Sequence, residues 1–189
     1  AGLWAHLRGV PLLFTARSPQ EGGVGALGPG ERIALLEMAL PDAAMVDLEA
    51  AGIDEAEALR GELRERGVPW IASFHDFRGL PDAGQVARAV GRAREAGAAA
   101  FKLAARVCEP GDLRWLADFQ CEDHGLPVAT MGMGALGPVS RLLCAQCGSC
   151  LNYGFLGGEA TAPGQWDAAF LKRAIAGLEP WHRETAPGA

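Results

Sequence analysis

Short apolar runs alternate with amphipathic stretches along most of the chain. The runs at 11–16, 45–50, 70–74, 98–104, 128–133 and 151–156 have the length of strands. Near-continuous hydrophobicity over such a run marks a strand buried on both faces, as in a parallel sheet. Between them, apolar residues recur at helical spacing over 31–40, 54–66, 82–96, 111–122, 138–147 and 165–176. Asp54 and Asp82 are suited to cap their helices, Gly67 and Gly97 to stop them, and Pro138 and Pro163 to open two others. Residues 1–9 read as the last turns of a helix, with Leu3, Trp4 and Leu7 on one face and Gly9 at the end. Six strand–helix units in strict alternation predict a parallel sheet, doubly wound or closed as a barrel.

The polar residues that interrupt this pattern favour the barrel. Arg17, Glu49, His75, Lys102 and Met133 fall at the C-terminal ends of the predicted strands. A barrel brings those ends to one mouth, where active sites are built, whereas an open sheet spreads them out except near a switch point. From these residues alone the expectation is an α/β barrel of about six βα units, with the doubly wound sheet as the alternative. No glycine-rich phosphate fingerprint follows the first run, since Gly22, Gly23 and Gly28 lack that spacing, so a nucleotide site is not expected.

Composition narrows the function classes. In 189 residues, 49% are hydrophobic, enough for one domain with a real core. A net charge of −6 without a basic block argues against nucleic acid as a partner, and no apolar run reaches membrane-spanning length, so no membrane partner is expected. Five cysteines give no even disulfide framework and fit a reducing, cytoplasmic setting.

Candidate chemistry centres on Lys102, alone in the apolar run 98–104. Taken alone, a lysine there reads as a strand-end side chain snorkelling to water. If buried, its amine must be neutral or paired. His75 ends another run and is followed by Asp76; beside an amine, a general acid/base is the better reading for it. His6, His124 and His182 read as surface residues. Asp47 and Glu49 share one face of a strand by the two-residue period. That face is either the solvated side of an edge strand or an interior one needing cations, for which Lys102, Arg17 and Arg141 are available. Acids near Lys102 raise its pKa while burial and arginines lower it, and sequence does not decide between them. The glycines of the loop 17–23 permit close backbone approach to a ligand. Arg141 follows the Gly-rich turn 132–137 and suits bidentate grip of a carboxylate. Thr161 and Gln165 offer hydrogen bonds from a later loop.

In order along the chain, Phe14-Thr15-Ala16-Arg17 with Glu21-Gly22-Gly23, Val46-Asp47-Leu48-Glu49, Ser73-Phe74-His75-Asp76-Phe77, Phe101-Lys102-Leu103-Ala104, Thr130-Met131-Gly132-Met133-Gly134 with Ser140-Arg141-Leu142, and Ala160 to Gln165 resemble the type I 3-dehydroquinate dehydratase family. This is the Schiff-base dehydratase of the shikimate pathway, and the resemblance runs from about residue 11 to about residue 176. It implies a (β/α)8 barrel and dehydration of 3-dehydroquinate to 3-dehydroshikimate, with that small molecule as partner and no cofactor or metal. It implies that Lys102 forms an imine with the C3 ketone. His75 takes a C2 proton and assists loss of the C1 hydroxyl, Glu21 orients the histidine, and Asp47 stands beside the lysine. Arg17, Arg141, Thr161 and Gln165 match substrate-binding positions, with Arg141 on the carboxylate, and Met131 and Met133 line the pocket.

The resemblance also has gaps. The family's barrel has two strands ahead of the run 11–16, one with a Glu-Trp-Arg type motif, and nothing like it occurs here. The expectation is therefore a fragment of a longer protein, with weak or no activity for residues 1–189 alone. On this reading 1–177 is the barrel and 178–189 a tail or linker, with homodimerisation and fusion to a further domain left open. Cys144, Cys147 and Cys150 have gaps seen in metal sites, but no fourth ligand is evident and packing is the favoured role. Two rivals remain: another lysine-dependent Schiff-base lyase or aldolase, and an inactive or partner-completed form acting as a binding or assembly module.

Overall fold

A computed structural model describes residues 4–7 and 9–179. Five parallel strands form one sheet: β1 (Leu13–Thr15), β2 (Met45–Glu49), β3 (Trp70–Asp76), β4 (Ala100–Arg106) and β5 (Val128–Met133). The helices between and after them are α1 (Pro29–Ala39), α2 (Glu57–Arg66), α3 (Ala83–Glu95), α4 (Pro110–Cys121), α5 (Gly137–Gln146) and α6 (Ala168–Ala176). The strands are hydrogen-bonded in chain order, β1-β2-β3-β4-β5, without reversal. A doubly wound sheet reverses at a switch point, so this order is the winding of a barrel, incomplete at five strands.

The sixth predicted strand, 151–156, does not form. Cys150 donates one backbone hydrogen bond to Val128 of β5, after which the segment leaves the sheet and makes only an isolated bridge, Phe155 with Asp167. At Gly154 the segment passes close to the start of α6, where a Cβ would lie 2.5 Å from the Ala168 Cα.

Two caps also differ from expectation. The Asp82 carboxylate does accept from the Gln85 N–H at 2.8 Å and caps α3, and Pro138 lies in the first turn of α5. Asp54 does not cap α2, because the chain enters that helix through a run of turns behind Ala56; its carboxylate accepts from Arg92 instead, at 2.8 Å. Pro163 lies in a loop, and Asp167 caps α6 by accepting from the Phe170 N–H. Gly67 ends α2 in the left-handed region, φ 66°. Near the start, the described residues include one short 3-10 turn, Ala5–Leu7. Leu3, His182 and most of the predicted tail lie outside the described residues.

The two sides of the sheet differ. Val46, Leu48, Ala72, Phe101, Leu103 and Val128 point towards the helices and pack with Leu59, Leu63, Val86, Val90 and Leu116 in the main core. Each large side chain buried there contributes on the order of 1.5–3 kcal/mol. The side away from the helices carries a smaller apolar cluster of Ala104, Ala129, Met131 and Met133, and the polar residues described next. Among the described residues, no helix is long and apolar enough to cross a membrane.

Candidate active site

Register assembles the site. Ser73 of β3 lies opposite Lys102 of β4, and His75 lies opposite Ala104. Successive residues of a strand face opposite ways, so Ser73, His75 and Lys102 share the concave face, as do Asp47 and Glu49 of β2. Lys102 is the third residue of β4 rather than its end, which corrects the strand-end placement. It sits one two-residue period deeper than His75, by about 7 Å of strand rise. Only 7% of Lys102 and 2% of Asp47 is exposed, so neither the snorkelling lysine nor the solvated edge strand applies.

Asp47 is the hub. Its Oδ2 accepts from Lys102 Nζ at 3.0 Å, and its Oδ1 accepts from Arg17 Nη2 at 2.8 Å and from Ser73 Oγ at 2.6 Å. Arg17 Nη1 reaches Ser73 Oγ at 2.5 Å, Glu21 Oε2 at 3.4 Å and Glu49 Oε1 at 3.8 Å. Arg32 closes the far side, 3.5 Å from Glu49 Oε2. His75 Nδ1 lies 2.7 Å from Glu21 Oε2. Of the three cations that sequence offered to these acids, Lys102 and Arg17 take the role, and Arg32 replaces Arg141.

The loop after β1 brings Arg17 and Glu21 to this hub. Its glycines serve the loop itself rather than a ligand: a Cβ on Gly23 would collide with the Arg17 carbonyl, and one on Gly22, whose φ is 88°, with the Phe77 ring. The chain folds back on itself there, and the Ser18 N–H donates to Glu49. A cleft of about 650 Å³ opens beside Arg17, lined also by Thr15, Arg32 and Thr161.

Burial is the largest influence on every strongly shifted group. It pushes Glu21 up to about 8, with Glu49 adding to the rise and Arg17 opposing it. It pushes His75 down to about 3, helped by Arg17 and Lys102. Lys102 is lowered, because burial outweighs the opposing pull of Asp47; the balance that sequence left open falls towards the neutral amine. Burial alone would raise Asp47, but Lys102 and Arg17, with hydrogen bonds from Ser73 and Lys102, hold it below the ordinary carboxylate range.

The Glu21–His75 pair therefore shares its proton as a unit. While Glu21 keeps its proton it donates to Nδ1, and the ring hydrogen sits on Nε2. Once the pair loses that proton, Nδ1–H donates to the carboxylate and Nε2 is left with a lone pair able to accept a proton. A lysine with a depressed pKa is a nucleophile towards carbonyl carbon, and an imidazole on the same face can move protons for whatever it binds.

The remaining predicted residues are more dispersed. Arg141 is buried, and its guanidinium is tied to main chain: Nη1 to the Tyr153 carbonyl at 3.1 Å and Nε to the Gly164 carbonyl at 3.4 Å. No acidic side chain pairs with it among the described residues, and burial pushes it down to about 10. Met131 and Met133 are buried on the concave face. Thr161 and Gln165 bond one another, Oγ1 to Oε1 at 2.7 Å, in an exposed loop. Cys144 packs in the main core with its thiol pushed up to about 12, Cys147 is half-buried and Cys150 exposed; all five cysteines are free. His6 is exposed as expected, but His124 is half-buried against Phe119, its ring 4.3 Å from that ring and its Nε2 2.7 Å from the Phe119 carbonyl.

Three participants carried no assigned role in the sequence. Ser73 was findable, being two residues before His75 and so on its face. Arg32 gave no signal, since it reads as an ordinary helix residue. Tyr153, whose ring lies 4.5 Å from Lys102 Nζ, stands in the irregular segment after Cys150, where no periodicity indicates a direction.

An incomplete parallel barrel with a buried lysine–aspartate pair and a histidine–glutamate pair on its concave face defines the chain as a (β/α)-barrel protein. The sequence profile of type I 3-dehydroquinase matches residues 2–179. The chain is 35% identical over 170 residues to the 3-dehydroquinate dehydratase of Shouchella clausii, covering 86% of this chain and 66% of that protein. It is 35% identical over 172 residues to that of Salmonella paratyphi B, covering 87% and 68%. The chain thus spans about two thirds of the length of the curated relatives it matches. Among solved structures, the Geobacillus kaustophilus 3-dehydroquinate dehydratase superposes with TM-score 0.79 at 29% identity, covering 88% of this chain and 66% of that one. The Clostridium difficile type I enzyme, solved with covalently modified comenic acid, gives 0.81 at 27% identity, covering 92% and 70%. This chain belongs to the type I 3-dehydroquinase family.

Proposed function

We propose that the chain carries the centre for dehydrating 3-dehydroquinate to 3-dehydroshikimate through a Lys102 imine. The observation that carries this reading is one buried face holding a lysine of lowered pKa against Asp47 and, one period higher on the next strand, a histidine paired with a carboxylate. The amine attacks the C3 ketone and water leaves, giving an iminium. That group is an electron sink, so the adjacent C2–H becomes acidic. His75 Nε2 removes that proton, and the resulting enamine expels the C1 hydroxyl, which leaves as water with the proton His75 returns. Hydrolysis of the conjugated iminium frees 3-dehydroshikimate and restores the amine.

In this scheme Asp47 and Ser73 fix Arg17, Glu21 sets the tautomer of His75, and the proton relay contributes roughly 10²–10⁴-fold. Arg141, Thr161, Gln165, Arg17, Met131 and Met133 form the substrate shell. Arg141 turns its guanidinium from main-chain carbonyls to the substrate carboxylate, a stronger charge-assisted partner. Borohydride reduction in the presence of 3-dehydroquinate, followed by peptide mass analysis, is expected to place the reduced adduct on Lys102. An unmodified Lys102 under those conditions would refute the reading.

A further inference from the structure

Tyr153 is the one tyrosine in the chain, and its environment is unbalanced. Its hydroxyl is buried and has no hydrogen-bond partner among the described residues. Its ring packs on the concave apolar cluster with Met131 and Met133, 4.5 Å from Lys102 Nζ. Its carbonyl is held by Arg141, so the backbone that carries it is fixed to α5. A buried hydroxyl without a partner costs on the order of 1–3 kcal/mol, and such groups persist where a ligand completes them.

We propose that Tyr153 is a substrate-contacting residue, its hydroxyl donating a hydrogen bond to the oxygen on the carbon that Lys102 attacks. This rests on the reading of Lys102 as the imine-forming amine and adds the group that receives the displaced oxygen. As the nitrogen lone pair forms the N–C bond, the carbonyl π pair moves onto oxygen, and the phenol steadies that charge without giving up its proton. The oxygen then leaves as water, with one hydrogen from the amine nitrogen and one from the general acid, leaving the iminium. Burial, with Asp47 adding, raises the phenol above its ordinary range, which keeps it a donor through neutral pH. The ring face beside Nζ is suited to hold the cationic nitrogen that results.

The test is Tyr153→Phe, which keeps the ring and removes only the oxygen. With 3-dehydroquinate and borohydride, the rate of adduct formation at Lys102 is expected to fall about tenfold or more, within the range for losing one donor to a developing oxyanion. Its melting temperature is expected to equal or exceed the parent's, because an unpartnered hydroxyl contributes nothing to the fold. In the parent, the ultraviolet difference spectrum of this single tyrosine is expected to change on adduct formation. An adduct rate within twofold of the parent, or a melting temperature lowered by several degrees, would overturn the inference and leave the imine reading standing. A parent that forms no adduct at all would overturn both.

Discussion

On the helix side of the sheet, β2, β3 and β4 present Val46, Leu48, Ala72, Phe101 and Leu103; on the concave side the same strands present Asp47, Glu49, Ser73, His75 and Lys102. The two sets alternate residue by residue, so a slip of one position would exchange them. The first set is removed from water and carries no polar side-chain atom. The second is nearly as buried, yet every member is charged or hydrogen-bonding, and the pKa values of Glu21, His75 and Lys102 are displaced towards their neutral forms. One face is apolar core, and the other carries groups that burial displaces towards their neutral forms.

The sharpest break in that contrast is Lys102→Met, a swap of similar volume. Asp47 keeps Arg17 and Ser73 as partners, so no charge is left alone. Adduct formation and turnover are expected to fall to background, while the melting temperature stays level or rises. A variant that unfolds instead would show that the lysine is structural.

Phe101→Ala is the converse, one residue away and facing the helices. Phe101 is 0% exposed, and its truncation is expected to cost about 3–5 kcal/mol in urea unfolding. The rate of adduct formation per folded molecule should remain near the parent's. Loss of both together would mean the faces are not separable.

How much of this contrast the sequence shows depends on which regularity a residue obeys. Lys102, Asp47 and His75 interrupt apolar runs, so each announces itself, and the two-residue period gives Asp47 and Glu49 a common face. The depth of Lys102 was not legible, because strand ends are set by pairing: β4 continues to Arg106 only because Met133 lies opposite it. Segment 151–156 looked like a strand by its apolar residues, but the tight crossing at Gly154 is a tertiary fact. Tyr153 and Arg32 join the concave side from outside the sheet, where no local pattern tells inward from outward. The ordering of the six motifs carried the family, which the alternation of strands and helices alone does not specify.

Glu21→Gln gives the smallest effect and tests the electrostatics of the concave face directly. Glu21 has a folded value of about 8 against 4.5 for the free group, so between these values the native state binds the extra proton. Its contribution to stability is therefore lost as pH rises from 4.5 towards 8. Gln does not titrate, so the stability of the variant relative to the parent is expected to rise across that window, on the order of 1–3 kcal/mol in all. His75 runs the other way, with a folded value of about 3 against 6.5, so its contribution improves as pH rises between them; because it bonds Glu21 at 2.7 Å, the variant is compared with the parent above 6.5, where free imidazole is already neutral. Urea unfolding of both proteins near pH 6.5 and near pH 8 checks the sign, and parallel curves would contradict it. The same variant sharpens the proton assignment. In the parent the pair must release its shared proton before Nε2 can act as a base, so the rate of enamine formation is expected to climb as pH approaches 8. In the variant the climb disappears, because the amide can accept from Nδ1–H at any pH.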